Sequence, residues 1–108
     1  MSQIQSALTV LWLDTVQHPT THEHKMLASA GLEACCISNL QELRQGLSEG
    51  LAFALVIRHG SHQDLLQQVQ ALMIQTGIAL PIVCRVPSTD IEAAVQAMKL
   101  GAAHAMVD

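Results

Sequence analysis

The stretch Phe53-Ala54-Leu55-Val56-Ile57-Arg58-His59-Gly60 decides the fold. Five apolar residues run without interruption and stop abruptly at a charge, with a glycine close behind. An apolar run of this length, bounded by turn signals and set between helical patterns, reads as a strand buried on both faces. In open α/β sheets, ligands sit beyond the carboxyl ends of such strands. Arg58 closes the strand, so it is placed at the edge of the sheet where any chemistry would occur.

Working outward, the segment before this strand carries a second buried run, Leu8 to Leu13 (LTVLWL), closed by Asp14. Thr15 to Pro19 is polar and breaks at proline. Thr20 to Ala30 predicts a helix ended by Gly31, with His22, Glu23, Met26, Leu27 and Ala30 as its inner stripe, although His22 and Glu23 weaken that stripe. Glu33 to Ser38 predicts a short strand. Asn39 with Glu42 predicts a capping box for a helix whose apolar face is Leu40, Leu43 and Leu47, stopping near Gly50.

Beyond Gly60, Ser61 and Asp64 open a longer helix with Leu65, Leu66, Val69, Leu72 and Met73 on one side and Gly77 at its end. Pro81 to Val86 predicts a fourth strand, with proline tolerated at its first position. Thr89 and Glu92 predict another capping box, after which Ile91, Ala94, Val95 and Met98 recur with the amphipathic helical period. Gly101 closes that helix, and Ala102 to Val107 predicts a fifth strand. Strands alternating with helices imply right-handed crossovers and a parallel sheet. The expected fold is a single α/β domain over residues 1–108: a flavodoxin-like (CheY-like), doubly wound, five-stranded sheet of order 2-1-3-4-5 with its final helix missing.

Composition narrows the function classes. The chain of 108 residues is 50% hydrophobic and 13% charged, enough apolar mass for a core, and with 2% aromatics that core must be aliphatic. A net charge of −4 with five Lys+Arg leaves no basic stripe, so no direct nucleic-acid contact by this domain is expected. Neither a membrane span nor a basic leader followed by an apolar stretch is visible, so the expectation is a soluble, cytoplasmic domain with no membrane contact. Cys35, Cys36 and Cys84 fall in apolar stretches without CxxC spacing, and read as buried thiols acting as small hydrophobes.

The last third of the chain, PIVCRVPSTDIEAAVQAMKLGAAHAMVD, resembles the fourth strand, fourth helix and fifth strand of receiver domains from bacterial two-component response regulators, including the run AMKLGA. It looks closest to receivers attached to enhancer-binding transcription activators. LASAGLEA and the helix after it are similar to the passage from first helix to second strand. The resemblance covers residues 8 to 108, and the family's spacing lies on without a gap.

In that family an acidic pair after the first strand holds Mg²⁺, and an aspartate ending the third strand accepts a phosphoryl group. A Ser or Thr ending the fourth strand and a Lys ending the fifth respond to it. Carried across, the resemblance keeps the first acid as Asp14 but puts Thr15 at the direct metal ligand. It puts Arg58 at the phosphoacceptor, Val86 (followed by Pro87) at the switch hydroxyl, Ala105 at the switch aromatic and Asp108 at the lysine. These departures remove the chemistry. A guanidinium is no nucleophile at accessible pH, Mg²⁺ prefers one or two carboxylates in an oxygen cage, and Val86 has no hydroxyl. The resemblance therefore implies an atypical receiver that is not an enzyme and needs no cofactor or metal. It would act in signal transduction and transcription regulation as an interaction module, its partner an effector domain in cis, another protein, or a second copy in a homodimer. The alternative is a sensor in which the vacated pocket, with Arg58 and His59, binds a small anion or nucleotide. With Ala105 in place of an aromatic, a single conformation of residues 87 to 106 is expected.

Arg58 needs water or a partner, because an unpaired buried charge costs several kcal/mol. Asp14, ending the adjacent first strand, is the favoured partner; Asp108 is the alternative, and uncoupled rim residues are the bland reading. His18, His59 and His62 fall in loops at the same sheet edge, where converging imidazoles suit a transition metal, although such loop histidines are usually polar surface. Without a fifth helix, the neighbourhoods of Leu8, Leu13, Val83 and Val107 are expected to be incompletely covered, favouring self-association or a longer parent chain.

Overall fold

The computed structural model describes residues 8–14, 16, 18–50, 52–60, 64–87 and 89–107, the side chain of Val107 excepted. Its elements are β1 (Leu8–Leu13), α1 (Thr21–Ser29), β2 (Leu32–Cys36), α2 (Leu40–Ser48), β3 (Ala52–Arg58), α3 (Leu65–Thr76), β4 (Ile82–Val86), α4 (Ile91–Lys99) and β5 (His104–Val107). The five strands form one all-parallel sheet of order β2-β1-β3-β4-β5, the flavodoxin-like arrangement. β3 is central, and Leu55 and Ile57 within it are fully buried.

Among the described residues, the two faces of the sheet are covered unequally. On one, Leu11, Leu13, Leu55, Ile57, Ile82 and Cys84 pack beneath Leu43 and Leu47 of α2, Leu66, Val69 and Leu72 of α3, and Ala97 of α4. Each fully buried aliphatic side chain contributes about 1.5–3 kcal/mol of transfer free energy, so this side holds most of the stability. On the other face Val10, Trp12 and Val56 are buried, with Leu27 of α1 and Leu32, Ala34 and Val83 partly buried around them. α1 has no fully buried residue.

Local chemistry departs from the expected pattern in several places. α1 is closed at its N-terminus by a capping box in which Thr20 Oγ1 accepts from the Glu23 amide and Glu23 Oε1 accepts from the Thr20 amide. Glu23 thus belongs to the cap rather than to an inner stripe, and Met26, also assigned there, is exposed. At α2, Asn39 Oδ1 accepts from the Glu42 amide as expected, but Glu42 Oε1 accepts from Ser38 instead of closing the box on Asn39. Asp64 precedes α3 without a side-chain capping bond, and Ser61 lies outside the described residues. The cap of α4 is Asp90, whose Oδ1 accepts from the Ala93 amide, not Thr89.

The orientation of α4 is also corrected. The residues it buries are Ala93 and Ala97, while Ile91, Val95 and Met98 are 70%, 50% and 49% exposed. Small alanines let the helix approach the sheet closely, which leaves the large side chains of the periodic stripe facing outward. Cys35 and Cys36 are exposed rather than buried, because β2 is an edge strand; only Cys84 behaves as a core thiol. Burial pushes the Cys84 thiol up to about 11, which makes it unreactive. Leu13 is fully covered on the helix-rich face, whereas Leu8 and Val83 are partly open as expected and the side chain of Val107 is outside the described residues.

Candidate functional site

The carboxyl ends of β1, β3 and β4 come together through period-two alternation. Trp12, Val56 and Val83 share one face, and two residues beyond each stand Asp14, Arg58 and Arg85. Arg58 and Arg85 are direct partners in the β3–β4 register. The three charged side chains therefore emerge side by side at the sheet edge, on the side carrying α1.

Asp14 is the centre of the cluster, with its side chain fully buried. Arg58 grips it in bidentate fashion: Nε donates to Oδ1 at 2.9 Å and Nη2 to Oδ2 at 3.0 Å. The Val16 amide donates to Oδ1 at 3.0 Å, and Arg85 Nε stands 3.4 Å from Oδ2. A carboxylate offers about four lone-pair directions, and four nitrogens now surround this one. The expected Arg58–Asp14 contact is present, and these four nitrogens line both carboxylate oxygens.

Arg85 extends the cluster. Its Nη1 donates to Glu23 Oε2 at 3.0 Å, and its guanidinium lies over the Trp12 ring, 5.3 Å from the centroid. Such cation–π contacts are stronger when shielded from water, and Arg85 is only 6% exposed. Glu23 divides its oxygens between the α1 cap and Arg85, so one carboxylate ties that helix both to its own start and to the sheet. Burial works to raise the Glu23 carboxyl, but the Thr20 amide and Arg85 outweigh it and hold the group below its usual range. Two carboxylates face two guanidinium groups, so the cluster is internally neutral.

No protein-family model matches the chain, and no curated protein matches it. Val86 is completely buried, and alternation turns it away from Asp14, toward the side of Cys84. Ala105, half-buried, pairs with Cys84 in register and shares that side. Neither belongs to the charge cluster. Thr15 and Asp108 lie outside the described residues, as does His62. His18 is exposed, while His59 is fully buried and reaches the opposite way, its Nε2 3.0 Å from Gln96 Oε1 on α4. Among the described residues no three His, Cys, Asp or Glu side chains gather as a metal site.

Reading the sequence missed Arg85, Glu23 and Trp12 as cluster members. Two signals were available. Arg85 interrupts an otherwise apolar buried strand, and a charge there needs a partner. Thr20 and Glu23 have the spacing of a capping box, which places the glutamate at the helix start and close to the carboxyl edge of the sheet.

Proposed function

We propose that this domain is a receiver-like regulatory module that works without phosphorylation, through contacts with an effector domain in the same chain or with a partner protein. The observation that carries this reading is the bidentate Arg58–Asp14 pair. It fills with internal charges the place where a receiver gathers Mg²⁺ and a phosphoryl group, and it offers no nucleophile in exchange. The unequal covering of the sheet supports the interaction role. Parallel sheets are ordinarily covered on both faces, whereas here an apolar groove of about 330 Å³ runs between α1 and β5 over Val56 and Val83, rimmed by Met26, Phe53 and Met106. An anion-sensing role gains little support, because both arginines are already engaged with carboxylates.

Melting curves with and without Mg²⁺ and beryllofluoride test the reading. The wild-type domain is expected to melt at the same temperature in all of them, since a ligand that does not bind adds no stability. Arg58→Asp is expected to melt lower, because two carboxylates then share the site with only Arg85 between them, and to regain part of the loss with Mg²⁺. A wild-type gain from Mg²⁺ as large as the variant's would overturn the proposal.

A further inference from the structure

The sheet ends on one side at β2, which among the described residues pairs with β1 alone. The Ile37 amide donates to the Trp12 carbonyl. By alternation, Cys35 and Glu33 also turn their backbone groups toward β1, and Leu32, Ala34 and Cys36 turn theirs to the open edge. An edge strand with such outward N–H and C=O groups is a template for another chain unless proline, charge or a bulge blocks it. β2 has no proline and one charge, Glu33. It also carries two exposed thiols, Cys35 and Cys36. In register with β1, Cys35 aligns with Leu11 on the α2 side and Cys36 with Trp12 on the α1 side. The two thiols of one chain thus stand on opposite faces and cannot join each other.

We propose that the β2 edge is a thiol-oxidation site, at which two copies of the chain pair their β2 strands antiparallel about a two-fold axis through Cys35 and are locked by a disulfide between the two Cys35 residues. In this register Ala34 of each copy lies opposite Cys36 of the other, and each such pair exchanges both of its backbone hydrogen bonds through the outward groups. The two Cys35 residues form the non-hydrogen-bonded pair between them, with Cα atoms about 4.5 Å apart, inside the span of about 4.4–6.8 Å that a disulfide bridges. An axis through Glu33 would set two like charges directly opposite each other, which costs stability. An axis through Cys36 would rely on the poorer thiol, which desolvation, and then Cys35 beside it, push up. Glu42 and Glu49 line the same shallow hollow as Cys35, and pairing brings these acids of the two copies nearer to one another. The backbone bonds alone therefore hold weakly, and the disulfide decides whether the dimer persists. The interface is isologous and closes at two copies.

The oxidant is a small disulfide such as oxidised glutathione. The Cys35 thiolate attacks one of its sulfurs, the glutathione S–S bond breaks, and one glutathione leaves as a thiolate. Cys35 of the second copy then attacks the bound Cys35 sulfur and releases the other glutathione. Two protein thiols are oxidised, one glutathione disulfide is reduced to two thiols, and the two cysteine protons end on them. The proposal rests on the β2 edge alone and needs nothing from the regulatory reading.

The test treats the full chain with oxidised glutathione and follows it by non-reducing electrophoresis, sedimentation and amide hydrogen exchange. The reduced chain at micromolar concentration is expected to be a monomer, and the oxidised chain a dimer that dithiothreitol reverses. Cys35→Ser should abolish the dimer and Cys36→Ser should keep it; both positions are exposed, so both variants should fold. In the reduced monomer the amides of Ala34 and Cys36 should exchange fast, and in the oxidised dimer they should become protected, while those of Cys35 and Ile37 change little. The proposal is overturned if oxidation stops at a glutathione adduct of the monomer, if the dimer survives Cys35→Ser, or if a dimer linked through Cys35 forms without protection of the Ala34 and Cys36 amides, which would make it a chance collision of exposed thiols.

Discussion

Asp14 is the residue on which the site closes, and its substitutions separate the two arginines. Asp14→Ala leaves two largely buried guanidinium groups without their shared carboxylate, and a loss of about 3–5 kcal/mol is expected, read from urea denaturation at neutral pH. Arg58→Met is milder, about 1–3 kcal/mol, because Asp14 keeps the Val16 amide and the nearby Arg85. Equal losses from the two would mean that Arg85 does nothing for Asp14. Glu23 adds a pH dependence with a defined sign. Its carboxyl is lowered in the fold from an ordinary value of 4.5, so its stabilisation is full above that value and is lost as pH falls through the lowered one. Glu23→Gln should therefore flatten the acid limb of a stability–pH curve and leave the limb above neutrality unchanged. At this scale the Arg58–Asp14 pair was legible, because the strand order brings the ends of β1 and β3 together and a strand-end arginine demands a partner. Arg85 was not, because a run such as Pro81 to Val86 reads as a strand from its apolar majority, and the exception inside it carries the chemistry.

Among the elements, α2 meets the sheet through Gly46, which lies against Leu11. A Cβ at this position would stand 3.0 and 3.2 Å from the two methyl groups of Leu11, itself buried in the core. Alanine gains about 1 kcal/mol of helix propensity over glycine, but overpacking a full core costs about 1–3 kcal/mol. Gly46→Ala is expected to lower the melting temperature, and Leu11→Ala combined with it to cost less than the sum of the two singles. A rise in melting temperature would show that Leu11 has room to move. Element order, type and approximate limits were readable from apolar period and from the glycines that stop helices. The facing of α4 was not. Periodicity reports that large apolar side chains share a side but not which side the sheet takes, and here Ala93 and Ala97 take it because they permit the closer approach. The same limit applies to β2, where an apolar sequence marks a strand but only its place in the sheet leaves Cys35 and Cys36 exposed.

Among the described residues, the sheet has one fully built side and one that is thinly covered. A hydrophobic dye is expected to bind the native domain in the groove beside α1, and Phe53→Lys with Met106→Lys should abolish that binding while leaving stability within about 0.5 kcal/mol, since both positions are exposed. Dye binding that persists in this variant would place the sticky surface elsewhere. The thin cover also makes α1 the helix with the least buried anchorage. It buries no residue completely, and its grip on the sheet is Leu27 together with the Glu23–Arg85 ion pair. Local opening free energies within one protein run from near zero to the full unfolding value. In native-state hydrogen exchange the amides of α1 should thus lose protection by a sub-global route, ahead of β1, β3 and α3, and faster still in Glu23→Gln. The domain then has an open form in which Val10, Trp12 and Val56 meet solvent while the three-helix side stays folded.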